Sequence, residues 1–214
     1  MRSSRLNKGL YFWGALLFIT SFGLGSAMAQ IEEPSYKIIA KDGDFELRDY
    51  SPMIVAEIVI EGERDSAVNA GFRALAAYIF GANISQSKIA MTAPVTQTKD
   101  IDLSKSERIE MTAPVTQSAR GTAWVIRFTM PQHYTMDNLP KPHDDRIALK
   151  QIKNRRVAVL RFSGLWTEGN LNARRDELMA MVARRSLKTK GEPTYAFYDP
   201  PWKPFFWRRN EVMQ

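Results

Sequence analysis

Cysteine is absent from all 214 residues. That removes disulfides, thiolate catalysis, Cys-ligated zinc and iron–sulfur clusters together, and excludes a lipid-modified N-terminal cysteine. Histidine is scarce: only His133 and His143 occur, in a proline-rich stretch with no third ligand at metal-binding spacing. There is no glycine-rich phosphate loop, no G-x-S-x-G elbow and no nucleophile–base pairing. The neighbouring carboxylates Glu32-Glu33 and Asp144-Asp145 face apart along the chain, so they make poor acid–base pairs. Asp42-Gly43-Asp44 is too short for a calcium loop. Nothing in this inventory argues for an enzyme.

Only one long apolar run is present, Leu10 to Leu24, preceded by Arg2, Arg5 and Lys8 and followed by Ala27-Met28-Ala29. This is the pattern of a Sec signal peptide over residues 1–29, cut after Ala29, leaving one domain over residues 30–214 in a bacterial periplasm or secreted. The alternative is an uncleaved inner-membrane anchor over residues 9–29. Cleavage removes three basic residues and no acid from a net charge of +7. A mildly basic exported domain suits anionic small ligands or anionic membrane surfaces, with no stable membrane insertion once the leader is gone. No nucleic-acid-binding motif is present.

What the chain has is a duplication. Lys88–Gln97, KIAMTAPVTQ, recurs as Arg108–Gln117, RIEMTAPVTQ. Alternation puts Ile89, Met91, Ala93 and Val95 on one face of a short strand, and Pro94 and Pro114 place each copy at an edge, a bulge or a strand end. The expectation is a structural hairpin of the two copies, with Met91 and Met111 turned inward.

Hydrophobic content of 44%, with five Trp and eleven Phe, is ample for a core. Tyr36–Ala40, Phe45–Asp49 and Met53–Ile60 read as strands, the last with a bulge near Glu57 where alternation fails. A helix follows from about Asp65 to Phe80, capped by Asp65 or Ser66 and ended by Gly81. Val68, Phe72, Leu75 and Ile79 form its bulky face; Ala67, Ala70, Gly71, Ala74 and Ala77 form a small-residue face that is either packed or open to a flat ligand. Thr122–Met130 is a strand, and Pro131–Pro142 an irregular joint. The second half repeats the order: strands Arg146–Leu149 and Arg156–Phe162, a helix from about Asn170 to Leu187, then strands Thr194–Tyr198 and Phe205–Val212. Its helix turns Leu171, Leu178, Met181 and Val182 inward and Arg174, Arg175, Arg184 and Arg185 outward. The expected fold is α+β, a distorted antiparallel β-barrel of two pseudo-symmetric halves flanked by two α-helices.

Near the C-terminus Tyr198, Trp202, Phe205, Phe206 and Trp207 surround Lys203, Arg208 and Arg209. Arg209 and Glu211 share one strand face, Arg208 and Asn210 the other, as in an Arg–Glu brace. Lys203 sits between prolines in a turn, and a cation beside the indole of Trp202 suits a flat anionic ligand.

KIAMTAPV after the first helix, Phe128-Thr-Met-Pro131 with Leu139-Pro-Lys-Pro142, and the ending YDPPWKPFFWRRNEV together resemble the SOUL heme-binding protein family, over about Glu33 to Val212. The resemblance implies binding of heme or a related tetrapyrrole, without catalysis, in a surface groove between the first helix and the last turn. Carried onto this chain, Lys203 matches the turn lysine that meets a propionate, and Phe72 and Ala76 match apolar helix positions. Ala77 and Asn69 stand where relatives have basic residues, and Arg73 is the neighbouring cation. With no cysteine, and with His133 and His143 in or just past the Pro131–Pro142 joint and not in that groove, the expectation is a porphyrin held without a histidine–iron bond. Two other readings stay open: an envelope scaffold whose protein partners the sequence does not name, and a tetrapyrrole-acting enzyme.

Overall fold

A computed structural model describes residues 31–85 and 106–214. The chain divides at Gln30/Ile31, and the folded unit runs from Ile31 to Gln214. Its elements are β1 (Tyr36–Asp42), β2 (Phe45–Tyr50), β3 (Met53–Glu61), α1 (Arg64–Ile79), β4 (Asn83–Ile84), β5 (Val115–Arg120), β6 (Ala123–Thr129), β7 (Lys141–Pro142), β8 (Ala148–Ile152), β9 (Arg155–Phe162), α2 (Glu168–Arg184), β10 (Thr194–Phe197) and β11 (Asn210–Met213). Nine strands form one antiparallel sheet in the order β1-β2-β9-β11-β10-β5-β6-β3-β8; β4 and β7 pair separately. From β2 to β8 the order is a palindrome of two halves. Strands β2, β3, β5 and β6 correspond to β8, β9, β10 and β11, and each half lends its first strand to the second strand of the other. Only Ser51-Pro52 joins β2 to β3, and only Lys153-Asn154 joins β8 to β9. Such short links between strands near opposite ends of the order require the sheet to curl back on itself, which makes a half-barrel.

One cross-strand row shows where the helices lie. Ala56, Phe128, Val115, Phe197, Asn210 and Phe162 are successive ladder partners, so they share a face. Phe128 packs in the core under α1, with Ile58, Leu75, Tyr78 and Ile126. Phe162 packs in the core under α2, with Leu160, Leu171, Leu178 and Val182. Both helices therefore cover one face, with β10 and β5 running between them. The α2 face is the one its sequence pattern predicts, and its N-cap is Thr167.

The first helix is rotated from expectation. Ala67, Gly71, Leu75, Tyr78 and Ile79 are buried, while Phe72 is 40% exposed. Ala67 and Gly71 go inward because small residues allow the helix to approach the sheet: a Cβ at Gly71 would stand 2.7 Å from Cδ1 of Ile126 and 3.2 Å from Cγ2 of Ile58. Neither Asp65 nor Ser66 caps it; Glu63 holds the N-cap position with no side-chain hydrogen bond. Gly81 does follow its end, at φ +118°.

Three further expectations change. The bulge lies in β1, between Ile38 and Ala40, and not at Glu57. Residues Val55 to Ile58 are buried in succession because β3 is covered on both faces, Glu57 meeting Arg127 at 2.7 Å and Lys150 at 2.6 Å on the face opposite the helices. Phe205–Trp207 forms a 3-10 turn, so the last strand begins only at Asn210. The two MTAPV copies do not pair as a hairpin along β5, whose edges are both taken, by β6 and β10. The strand begins at Val115, just past Pro114, which has no N–H to give a ladder. The first copy lies outside the described residues.

In the second copy Met111 is 44% exposed whereas Ile109 is 1% exposed, because the Ile109 N–H bonds to the carbonyl of Ile79 at the end of α1. Met111→Asp is therefore expected to move the melting temperature by no more than a degree or two. Ile109→Asp, which buries an unpaired carboxylate, is expected to cost several kcal/mol. Thermal melts of both variants check this, and equal losses would refute the placement of the copy.

Candidate functional site

The floor between α1 and the last turn is the helix-covered row Phe128–Val115–Phe197. Two ladder steps make it roughly 10 Å across. On one side Phe72 stands edge-on to Phe128, ring centroids 5.3 Å apart. On the other, Trp166 packs on Phe197 at 4.9 Å, and its indole N–H donates to Asn210 Oδ1 at 2.8 Å. The turn 198–209 starts from Phe197 and returns at Asn210. Sheet register thus sets the aromatic edges of the floor, and Gly71 sets the height at which Phe72 rides over it.

Of the sequence-predicted residues, Phe72, Arg73 and Ala76 lie together on α1. Phe72 and Arg73 are exposed and Ala76 is half-buried, and Arg73 has no ion-pair partner among the described residues. Trp202 and Lys203 lie together in the turn. Trp202 is 83% exposed, and Lys203 Nζ donates to Asp199 Oδ1 at 2.7 Å. Among the described residues no hydrogen bond, ion pair or ring contact joins the helix group to the turn group, and the sheet row runs between them.

The turn is rigidly built. The Asp199 carboxylate also accepts the Arg209 N–H at 2.6 Å. Burial pushes that carboxyl up, but the Arg209 N–H and Lys203 together hold it below the ordinary range. Arg208 spends its donors on turn carbonyls, Nε to Lys203 at 2.7 Å and another to Pro201, and lies over Trp166 at 4.9 Å. Sequence reasoning missed Asp199, although its spacing of four from Lys203 was visible. It also missed Arg64, which donates to the Trp166 carbonyl at 3.3 Å and ties the start of α1 to the approach of α2.

The opposite face of the sheet carries charge. Glu211 accepts from Arg48 at 2.8 and 3.0 Å, from Tyr198 Oη at 2.7 Å and from Arg209 at 3.0 and 3.1 Å. Arg209 also reaches Glu33 at 2.9 Å. The Arg–Glu brace expected of the last strand is present and extends to β2. Burial pushes the Glu211 carboxyl up; Arg48, Arg209 and Tyr198 more than reverse this and hold it low. The Tyr198 hydroxyl is pushed well up by burial and by the Glu211 charge.

Clefts open on the surface of the described residues. One of about 430 Å³ is lined by Met53, Thr112, Thr129, Met130 and Tyr134. One of about 450 Å³ lies between the starts of the helices, with Arg64, Trp124, Leu171 and Tyr195. One of about 280 Å³ lies beside Arg161, Phe206, Trp207 and Arg208. None of the three is lined by Phe72 or Lys203. Both histidines are exposed between β6 and β8: His133 stacks on Tyr134 at 4.2 Å, and the His143 N–H bonds to the Ala82 carbonyl. No group of three or more metal-ligating side chains occurs among the described residues, and no helix among them is long and apolar enough to cross a membrane.

Comparison with known proteins gives the same architecture and a family. The C-terminal domain of EcmrR superposes with TM-score 0.54 at 12% identity, over 83% of this chain and 95% of that one. A crystal structure titled as a hydrolase from Listeria innocua superposes with TM-score 0.50 at 12% identity, over 82% and 92%. At that identity these likenesses establish the fold alone. In sequence, Heme-binding protein 2 of Mus musculus is 28% identical over 195 residues, 88% of this chain and 87% of the mouse protein. Heme-binding protein 2 of Homo sapiens is 27% identical over 194 residues. The family model described as SOUL heme-binding protein matches residues 31–104 and 101–214, breaking between the two MTAPV copies. The chain belongs to the SOUL heme-binding protein family.

Proposed function

We propose that the protein binds heme or a related tetrapyrrole on the surface between α1 and the 198–209 turn, without chemical conversion. Family membership, with relatives named for heme binding, supports the ligand class. The observation that carries the location is the half-buried pair Val115 and Phe197, in the row that runs on to buried Phe128, edged by exposed Phe72 and by a turn that presents a lysine. A flat macrocycle against that row loses apolar surface to the protein on one face while its carboxylates reach Lys203 and Arg73. At about 25 cal/mol per Å², such burial supplies several kcal/mol before ordering costs, enough for roughly micromolar affinity. Nothing in this arrangement calls for an imidazole on iron.

Three results are expected from Soret or tryptophan-quenching titrations. Replacing both His133 and His143 by Ala changes heme affinity less than about threefold, and an iron-free porphyrin binds about as well as heme. Lys203→Glu weakens binding more. Asp199→Asn, which keeps an acceptor for the Arg209 N–H but frees the Lys203 charge, strengthens it by roughly threefold, the scale of a half-exposed ion pair. A large loss in the double histidine variant refutes this reading. So does multiple-turnover conversion of the porphyrin.

A further inference from the structure

Five large apolar side chains stand exposed in one place: Leu165 at 49%, Trp202 at 83%, Phe205 at 48%, Phe206 at 55% and Trp207 at 69%. The Gly164 N–H, bonded to the Phe205 carbonyl at 3.0 Å, joins the two segments that carry them. Phe205, Phe206 and Trp207 meet edge to face in a chain, centroids 5.3 and 5.0 Å apart at 83° and 69°. Their rings are therefore splayed, not laid into one flat contact plane. The turn itself is held by Asp199, Lys203 and Arg208, so the exposure is a fixed presentation. The ligand reading uses Trp202 and Lys203 but leaves Leu165, Phe206 and Trp207 without a role.

We infer that this knuckle is a shallow docking surface for an anionic phospholipid bilayer. Tryptophan, phenylalanine and leucine are the side chains that settle at the headgroup–acyl boundary. A bilayer accepts splayed rings without shape complementarity. A stable protein interface needs about 800 Å² of well-matched surface per partner, and splayed rings offer no flat face to match. Charge favours anionic lipid. Arg161 is exposed beside Phe206 and Trp207 with no carboxylate partner among the described residues. Arg208 gives its hydrogen bonds to neutral carbonyls. The cleft beside Phe206 and Trp207 is lined by Asp44 as its acid against Arg161, Arg208 and Arg209, and Asp199 is matched by Lys203. The contact is peripheral and calls for no spanning segment.

The test uses residues 30–214, which hold every strand, helix and core cluster described, sedimented with sucrose-loaded vesicles. Binding to vesicles of roughly seven parts phosphatidylcholine to three parts phosphatidylglycerol is expected to exceed binding to pure phosphatidylcholine, and to fall roughly tenfold in Phe206→Ser/Trp207→Ser at an unchanged melting temperature. Arg161→Glu is expected to weaken it and flatten its salt dependence. Because Lys203 and Trp202 are untouched, failure here leaves the tetrapyrrole reading standing. No binding by the wild type to either vesicle overturns the inference, as does equal binding by wild type and double variant, or equal binding to neutral and anionic vesicles.

Discussion

Arg48→Ala and Glu211→Ala are each expected to destabilise the protein by about 3–5 kcal/mol, the usual cost of leaving one member of a buried pair alone. For a domain of this size that lowers the melting temperature by roughly 10 °C. Arg48 is 2% exposed and Glu211 0%. The guanidinium meets the carboxylate with two hydrogen bonds, donates also to Glu46 and Tyr50, and lies over the Tyr36 ring at 4.3 Å. Every polar position of the pair is satisfied, so removing one member strands several partners. Arg48→Met with Glu211→Leu is expected to recover much of the loss, since two apolar groups leave no orphaned charge. The pH dependence follows from the depressed Glu211 value. A carboxyl whose folded pKa lies below its unfolded value, ordinarily about 4.3, contributes stability that is full above that pH. The contribution is lost as pH falls through the folded pKa. Glu211→Gln should therefore melt lower at neutral pH and show a shallower decline below about pH 4. Melting curves for these variants between neutral and acid pH decide it. A Glu211→Ala variant that melts like the wild type would show that the network contributes little.

The second large effect is expected at Gly71. Leucine there cannot fit between α1 and the sheet, and overpacking of this kind costs about 1–3 kcal/mol or more. Gly71→Ala is milder, because the nearest atom its Cβ meets is the end of the Ile126 side chain, and alanine gains up to about 1 kcal/mol in helix propensity. Adding Ile126→Val, which removes that Cδ1, is expected to make Gly71→Ala neutral or stabilising. Gly71→Leu should also weaken porphyrin binding, since lifting α1 separates Phe72 from Phe128. Denaturant unfolding gives the first quantity and Soret titration the second. Wild-type stability in Gly71→Leu would mean that the helix does not rest on the sheet at this residue.

Gly71 also shows how far the sequence could be read. The second helix was legible because its outer face is charged, leaving Leu171, Leu178, Met181 and Val182 as the inward candidates. The first offered two apolar faces, and the buried one straddles them, taking Leu75 and Ile79 from the bulky face and Ala67 and Gly71 from the small one; close approach of a helix to a sheet selects small residues, which a hydropathy pattern scores as weak. Glu57 misled for a related reason. A charged residue inside a strand reads as a break in alternation unless its partners, Arg127 and Lys150 on neighbouring strands, are known. The α+β class and the repeated halves were visible in the order of elements. The strand order was not, because β2 with β9 and β3 with β8 pair across halves. At the candidate site, Phe72, Arg73, Ala76, Trp202 and Lys203 came from the family likeness and the turn composition. The floor of Phe128, Val115 and Phe197 is a matter of register between three strands, which local pattern does not carry.

The palindromic strand order has a consequence for how the protein is made. β2 finds its inner neighbour only when β9 exists, Phe45 pairing with Leu160, and Arg48 waits for Glu211, 163 residues downstream. As the chain emerges N-terminus first, β1 and β2 can form only a hairpin in which Arg48 has Glu46 of its own strand as counter-charge and lacks Glu211. Isolated two-stranded hairpins are marginal in water, and folds dominated by such distant pairings assemble slowly. The β1–β2 hairpin therefore stays soft until β9 and β11 have been made, while β3, β5 and β6 can already pair with one another. A polypeptide in that condition can still be threaded through a narrow channel, and the curled sheet locks only when its last strand, Asn210–Met213, slides in between β9 and β10.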